Sequence, residues 1–392
     1  MDNLLSKQAS KQASKQASKQ ASKQASKQAS KQASKQASKQ ASREYYIDVL
    51  KGLAMLGVIL AHFYVFWNSP NKLLNMAAAI GSRCPQLFFI ISSNLTWKSL
   101  DKNGEDENTV TVFWKKRFSR LAPLFYVAIL IAVLIPTFRV TEISVGNYIS
   151  HFLFVNSLVP EWIDSILGVE WYIADLALFY LLAPLLFKLI KNLKSSVIAT
   201  SISTVISSLS LVICNQVFAS QIVTNTVYEM YFHTFFILHQ LPIMLLGVVL
   251  YYLVNLIKNG DISWVKSLFV LGFIVICAGG AFVVFDLNKK YACSSLIAGL
   301  AFAWLFLFCS RFTFWDNSIF KPFISIGKHS YGIYCFHQII INCLVFISFD
   351  RNSLIQWVVG FVCITAISYI VGVVVEKLEM RVRKALIINK TC

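Results

Sequence analysis

Three ionisable residues lie in the apolar segment 46–67, which has the sequence YIDVLKGLAMLGVILAHFYVFW. Asp48 and Lys51 are three residues apart, so their side chains can form an ion pair on a helix. His62 follows Lys51 after about three helical turns, which places all three side chains on one face, with His62 roughly 16 Å further along the axis. An imidazole titrates near neutral pH and can act as a general base or as a transient acyl carrier. The spacing therefore predicts a charged pair at one end of the helix and a reactive histidine deeper inside it.

Each of these residues also has a purely structural interpretation. Asp48 and Lys51 can anchor a helix end at the membrane surface, and His62 can be a hydrogen-bonded packing residue. The spacing alone leaves both interpretations open for the pair. For His62 we favour function, because an ionisable group at membrane depth is costly and usually serves a purpose. Gly52 lies beside the same face, where it would let a neighbouring helix or a ligand approach.

The elements that position these residues are predicted to be membrane helices. The chain has 392 residues, of which 56% are hydrophobic, more than the roughly 45–50% of a soluble domain. The apolar residues come in stretches of about 20, the length that crosses a bilayer as a helix. We predict an all-α, polytopic membrane helical bundle of about ten transmembrane helices. The expected spans are 46–67, 77–97, 118–136, 169–187, 197–217, 232–254, 267–285, 291–310, 329–349 and 354–375. The amphipathic stretch 143–158 is predicted as an interfacial helix in an outer loop.

The distribution of positive charge predicts the orientation of these spans. With the N-terminus inside, the inner segments hold 29 of the 36 Lys and Arg residues and the outer segments hold six. By the positive-inside rule, both termini are cytoplasmic. The same distribution accounts for the net charge of +17, so no nucleic-acid partner is expected. The nine cysteines show no zinc-site spacing, and neither a metal site nor a disulfide framework is predicted.

The N-terminal tract has a different composition from the rest of the chain. Residues 6–41 are nine copies of Ser-Lys-Gln-Ala, without a β-branched or aromatic residue that could build a core. We therefore expect a disordered, low-complexity tail over 1–43, a transmembrane domain over 44–376 and a short basic cytoplasmic tail over 377–392.

Several segments resemble motifs of the acyltransferase-3 family of integral membrane acyltransferases. The stretch from Asp48 to His62 is similar to the family's opening D-x-L-R-G motif and its following histidine. Lys51 stands at the arginine position, which keeps the charge but loses the planar fork of a guanidinium. The other similar segments are LFFIISS at 87–93, WKKRFSRLAPLFY at 114–126, WYIADLALFYLLAPLL at 171–186, LPIMLLGVVL at 241–250 and IGKHSYGIYCFH at 326–337. Ser93 stands where the family usually has glycine.

One departure from the family pattern concerns its acidic residue in the segment 171–186. Leu176 stands at that position, with Asp175 beside it and Glu170 just before Trp171. Which of these carboxylates takes part in function is therefore open.

The resemblance implies an activity, a donor and an acceptor. Family members move an acyl group, often acetyl, onto a carbohydrate hydroxyl of a cell-envelope glycan. This implies an O-acyltransferase in the bacterial inner membrane that uses cytoplasmic acetyl-CoA and an envelope carbohydrate such as lipopolysaccharide or lipooligosaccharide. The alternative is a transporter or flippase for a glycan or lipid intermediate, although internal repeats typical of that class are not evident. A purely structural membrane anchor would leave His62 and His337 unexplained. No pattern in the sequence indicates an oligomeric state.

The predicted catalytic residues are His62, Asp48 and Lys51. The predicted substrate-binding residues are Arg117, Arg120, Ser92, Trp171, Asp175, Tyr331 and His337. The two arginines match a family motif and could hold CoA phosphates bidentately, with positive-inside anchoring as the alternative. Ser92, near the inner end of the second span, could hydrogen-bond the donor or its own helix backbone. Three further histidines are predicted to lie in loops or near span ends, in solvated or interfacial surroundings. They are His151, His233 and His239.

The repeat tract predicts a way of switching expression. The codons AGC-AAG-CAA-GCA encode Ser-Lys-Gln-Ala and are also AGCA repeated, so a tetranucleotide tract would encode the tail in every frame. We hypothesise that gain or loss of one unit shifts the downstream frame, and Met55 lies too late to restart an intact first span. Sequencing the gene in single-colony isolates and measuring protein in each should show all-or-none expression that follows the unit number. Mixed serine or alanine codons across the repeats would contradict this hypothesis.

Overall fold

The structure, a computed structural model, describes residues 44–103, 107–134, 143–217, 232, 234–260, 263, 266–267, 270, 272, 292–312, 314–347 and 353–388. The chain divides into the units Met1–Tyr45 and Tyr46–Cys392, and the second unit contains the helices that carry the candidate site. The predicted tail 1–43 and most of the predicted span 267–285 lie outside the described residues.

The described residues form a succession of α-helices and no β-strand. In chain order the helices are α1 (Tyr45–Phe66), α2 (Lys72–Gly81), α3 (Cys84–Asn103), α4 (Glu107–Leu134), α5 (Val145–Phe152), α6 (Trp171–Leu189), α7 (Leu193–Val217), α8 (Ile237–Lys258), α9 (Ala292–Ser310), α10 (Lys321–Lys328), α11 (Ser330–Leu344) and α12 (Leu354–Ile388). Short 3₁₀ turns occupy Asn156–Leu158, Pro160–Trp162, Phe314–Asp316 and Ser318–Phe320. The all-α prediction is confirmed.

Long apolar helices identify a multi-pass membrane protein. Within the described residues, seven helical segments are long and apolar enough to cross a bilayer: Tyr45–Phe66, Lys72–Lys102, Thr109–Leu134, Trp171–Leu189, Leu193–Cys214, Ile237–Lys258 and Leu354–Arg383. Each matches one of the predicted spans. Large apolar side chains on α7 and α12 face outward, among them Val205, Ile213 and Ile355. Such a surface would be an aggregation liability in water, whereas lipid accommodates it.

The two predicted spans 291–310 and 329–349 correspond to shorter helices. The first is α9, whose apolar part is Ser295–Ser310. The second is α11, which has 15 residues and is too short to cross a bilayer of ordinary thickness. The short helix α10 precedes α11, and the backbone breaks at His329 between them.

The second predicted span, 77–97, is divided between α2 and α3. The backbone N–H of Ser82 donates to the Ala78 carbonyl at the end of α2. Pro85 follows in the first turn of α3, where a proline needs no N–H donor. Because α3 then continues to Asn103, Ser92 lies in the middle of this helix rather than near its inner end.

The third predicted span, 118–136, begins earlier than expected. Helix α4 starts at Glu107 and includes polar residues that precede the predicted span. No glycine or proline interrupts the chain between 107 and 122, so the helix extends beyond the apolar stretch. Arg117 and Arg120 therefore have the fixed spacing of helix interior residues.

Helix α5 is the α-helical part of the stretch 143–158, which the sequence predicts as an interfacial helix. Its N-cap is Ser144, whose hydroxyl accepts the backbone N–H of Asn147. Asn147 and His151 are buried, whereas Val145 and Ile149 are exposed. The helix therefore turns its polar face into the protein and its apolar face outward.

Two glycines allow helices to approach closely. A Cβ atom at Gly52 would overlap the carbonyl oxygen of Phe323 in α10, so the predicted approach beside Asp48 and Lys51 is made by a neighbouring helix. A Cβ atom at Gly247 in α8 would overlap the hydroxyl of Ser93 in α3. Helix α8 packs against α3, α6, α7 and α9.

The close approach at Gly52 predicts a stability effect. We expect Gly52→Ala to destabilise the protein by about 1–3 kcal/mol, because backbone atoms of α10 cannot move away as a flexible side chain would. The unfolding temperature of the detergent-purified protein measures this effect. The matched control is Gly146→Ala, whose new Cβ would lie 3.5 Å from the Trp162 ring, an ordinary contact. Equal unfolding temperatures for the two variants would contradict the prediction.

Candidate active site

A cavity of about 110 Å³ lies among α1, α3, α4, α6 and α11. Predicted site residues from four of these helices line it: Lys51, Ser92, Arg117, Arg120 and Tyr331. The other lining residues are Phe88, Leu95, Leu121, Tyr172, Leu176, Tyr180, Ser330 and Tyr334. The structure thus brings together residues that are far apart in the sequence.

Helical spacing explains which side chains reach this cavity. Tyr172, Leu176 and Tyr180 are four residues apart and lie on one face of α6, as residues at this spacing do. Tyr331 and Tyr334 lie one turn apart on α11. Leu176, which stands at the family's acidic position, therefore contributes an apolar surface to the cavity.

Arg117 is held in place by a carbonyl and two aromatic rings. Its Nη2 donates to the Leu95 carbonyl over 3.3 Å. Its guanidinium carbon lies 5.3 Å from the ring centre of Phe113 and 5.1 Å from that of Tyr180. Contacts of this kind stabilise a cation over a ring face, so the guanidinium is pre-positioned at the cavity wall.

Two further cations share the cavity with Arg117. Lys51 enters from α1 and the exposed Arg120 from α4. Three cations around one opening raise the local concentration of anions, and guanidinium groups match the geometry of phosphate oxygens. The cavity is therefore suited to an anionic ligand.

Two tyrosines at the cavity contact neighbouring helices. The ring of Tyr172 in α6 has its centre 4.6 Å from that of Phe89 in α3. The Tyr331 hydroxyl donates to the Leu121 carbonyl in α4. These contacts tie α6 to α3 and α11 to α4 at the cavity.

The two predicted histidines form a pair beyond this cavity. The ring centres of His62 and His337 are 5.2 Å apart. His337 is fully buried, and its Nδ1 lies 2.8 Å from the Tyr334 carbonyl. Because a carbonyl only accepts, Nδ1 carries a proton, and in the neutral imidazole Nε2 is the unprotonated nitrogen. In the described part of the chain this Nε2 has no hydrogen-bond partner.

Three other predicted site residues, Asp48, Trp171 and Asp175, are not among the described residues that line the cavity. Asp48 lies in the first turn of α1, where its charge interacts favourably with the helix dipole; its ion pair with Lys51 remains a prediction. Trp171 stacks on Phe235, with ring centres 4.2 Å apart. Asp175 is fully buried on α6.

Glu170 and Asp175 have different surroundings. The carboxylate of Glu170 accepts the backbone N–H groups of Ile166, Leu167 and Val169 at 2.7, 3.0 and 2.9 Å. It organises the loop that precedes α6. Both carboxylate oxygens of Asp175 lack a hydrogen bond of normal geometry within the described residues.

The predicted solvated or interfacial setting of His151 is wrong. This side chain is fully buried, and its Nε2 lies 3.2 Å from Glu170. His239 is also buried, with Nε2 2.7 Å from the Ser210 hydroxyl. Both histidines have polar partners from other helices or loops, which their local sequence does not indicate. His233 lies outside the described residues.

Two acidic residues of the loop before α6, Glu170 and Asp164, have pKa values shifted in opposite directions. Burial opposes ionisation of Glu170, but the hydrogen bonds from His151 and the backbone hold its pKa below the usual value. Burial, followed by the charge of Glu170, raises the pKa of Asp164 well above its usual value. Among the described residues, no group of three or more His, Cys, Asp and Glu side chains could hold a metal ion.

A contact between α12 and the start of α11 was not predicted. Glu376 accepts His329 Nδ1 at 2.6 Å and the Gly332 N–H at 2.9 Å. It therefore caps α11 from another helix, which supports the face that carries Tyr334 and His337. Helix α12 continues without a break through 376–377. The sequence predicts the end of the transmembrane domain at this point.

Together these features define a multi-pass membrane protein with a cationic cavity and a pair of adjacent histidines, of which His337 is fully buried. The chain belongs to the acyltransferase-domain family, whose sequence model matches residues 44–374. This confirms the resemblance found in the motifs.

A curated relative supports the same class. Acyltransferase MdmB from Streptomyces mycarofaciens is 29% identical over 158 residues, which are 37% of this chain and 39% of that protein. The match thus spans well under half of the relative's length. No solved structure matches the chain.

The Glu170 network predicts a large effect on stability. We expect Glu170→Gln to destabilise the protein by about 3–5 kcal/mol, because an amide removes the charge and leaves buried donors without an acceptor. Thermal unfolding of the purified protein measures the loss. The control is Glu161→Gln in the same loop, where the side chain is exposed and no change is expected. If Glu170→Gln unfolds at the wild-type temperature, the assigned structural role is wrong.

Proposed function

We propose that this protein is an O-acetyltransferase of the bacterial inner membrane. It transfers an acetyl group from cytoplasmic acetyl-CoA to a hydroxyl of a cell-surface glycan such as lipopolysaccharide or lipooligosaccharide. Membership of the acyltransferase family supports the reaction class. The donor, the acceptor and the location are the parts that we infer.

The cationic cavity is the observation that carries this proposal. Arg117, Arg120 and Lys51 face one space, and their charges suit the phosphates of a nucleotide-linked donor. The aromatic rings and the Ser92 hydroxyl along the same walls suit its less polar arm. Tyr331, tied to Leu121, keeps this wall in place.

The histidine pair supplies the base that the reaction needs. In our proposal the Nε2 of His337 or His62 accepts the proton of the acceptor hydroxyl as its oxygen attacks the thioester carbonyl. The C–O bond forms, the C–S bond breaks, and the thiolate of CoA takes up the proton from the imidazole. The products are an O-acyl glycan and free CoA. General-base assistance of this kind contributes about 10²–10⁴-fold to a rate.

The remaining predicted residues have supporting roles in this scheme. Asp48 orients Lys51, and Lys51 neutralises donor charge at the inner end of α1. Trp171 and Asp175 lie on α6, beside the face that lines the cavity, and we assign them to the acceptor side. No metal is assigned a role.

Two further features support a surface-glycan enzyme rather than a transporter or flippase. The family match favours acyl transfer over transport. The repeat tract of the N-terminal tail fits slippage-controlled expression, which suits genes that change a bacterial surface. We therefore propose that the modification is phase-variable.

The proposal predicts the loss of an acetyl group from envelope glycan. We expect His62→Ala and His337→Ala to reduce O-acetylation at least about 100-fold, because each removes an imidazole from the proton-transfer pair. Mass spectrometry of envelope glycan from cells that express each variant measures this loss. The control Leu53→Ala changes an exposed position on the same helix α1 and should have no effect.

Two outcomes would contradict the proposal. One is full acetylation by His62→Ala present in the membrane at wild-type amount. The other is loss of the entire glycan from the surface in cells that lack the protein, which would favour transport.

A further inference from the structure

Two tyrosines in the wall of the cationic cavity contact each other, and one of them also contacts the histidine pair; we call Tyr172 and Tyr334 the aromatic partition. Both line the cavity, and their ring centres are 5.0 Å apart. The ring centre of Tyr334 is also 5.5 Å from that of His337, one helical turn further along α11. Among the described residues that line the cavity, neither His337 nor His62 is included. The partition therefore contacts both the donor space and the base.

Both rings of the partition are fixed by neighbouring groups. The Tyr334 hydroxyl donates to the Val169 carbonyl over 2.7 Å. The ring centre of Tyr172 lies 4.6 Å from that of Phe89. Tyr334 and Tyr172 are both buried. A fixed pair of rings presents a wall that cannot easily recede.

The position of this wall has a consequence for the acyl group. The thioester carbon must come within about 3–3.5 Å of the attacking oxygen, and that oxygen must reach an imidazole. The acyl chain of a donor held by the cations therefore points towards the partition. Each added methylene would press against two buried rings, and one methylene can change specificity by roughly 10–200-fold in a close-fitting apolar site.

We propose that the aromatic partition selects short acyl chains, and that the Tyr334–Val169 hydrogen bond holds it in the selective position. This inference rests on the proposed transfer from an acyl-CoA. It assigns Tyr172 and Tyr334 as specificity-determining residues, a role that the sequence motifs did not indicate for either.

The test compares donors of different length in inverted membrane vesicles that contain the full-length protein and envelope glycan. Acetyl-, butyryl- and hexanoyl-CoA are supplied in turn, and the acyl mass added to carbohydrate and the CoA thiol released are both measured. For Tyr172→Ala we expect the butyryl-to-acetyl rate ratio to rise by at least about tenfold. Tyr334→Phe keeps the ring but loses the Val169 bond, and should raise the ratio by a smaller factor.

The matched control removes bulk from another part of the same cavity. Leu95 lies in the cavity wall near Arg117. The Leu95→Ala variant should keep the wild-type butyryl-to-acetyl rate ratio. If Tyr172→Ala is absent from the membrane, Tyr172→Leu retains a buried apolar side chain and is used instead.

The outcomes separate this inference from the proposed function. If the wild type transfers acetyl and every partition variant keeps the wild-type ratio, the partition does not select chain length and only this inference fails. If Leu95→Ala changes the ratio as much as Tyr172→Ala, the cavity as a whole sets the specificity and the inference also fails. If the wild type transfers no acyl group from any of the three donors, the proposed function is wrong and the inference fails with it.

Discussion

A chain of hydrogen bonds leads from the buried carboxylate of Glu170 to the histidine pair. Glu170 fixes the backbone of Val169, the Val169 carbonyl accepts the Tyr334 hydroxyl, and the Tyr334 carbonyl accepts Nδ1–H of His337. Each bond gives a partner to a buried polar group that would otherwise be unpaired. The end of the chain is an imidazole whose tautomer is set by its partner. The Tyr334 carbonyl thus sets which nitrogen of His337 carries the proton, and the loop before α6 holds the Tyr334 side chain.

The cationic cavity depends on a second constraint, which is the close packing of helices at small residues. Gly52 lets α10 approach α1 beside Lys51, and Gly247 lets α8 approach α3 beside Ser93. Without a hydrophobic driving force between helices in lipid, close van der Waals contact is a main source of association. Ser93 is itself small and bonds to its own helix backbone. A serine therefore satisfies the packing at a position where the family usually has glycine.

The sequence predicted most of the helices and five of the residues that meet at the cavity. Apolar length identified the spans, and motif resemblance identified Lys51, Ser92, Arg117 and Tyr331 as members of one site. Contacts between distant segments were not predictable, because local pattern carries no information about a partner such as that of Glu376 on α11. Helix ends were also missed where polar residues simply continue a helix, as at Glu107 in α4.

The shortness of α11 has a consequence for how the protein responds to its membrane. Ten consecutive residues of this helix, Gly332–Ile341, are buried, so other parts of the protein surround them. A helix that does not meet lipid has no need to match the thickness of the hydrocarbon layer, whereas exposed helices tilt or distort to match it. Variation in lipid chain length or sterol content should therefore move α7 and α12 while the position of His337 stays constant.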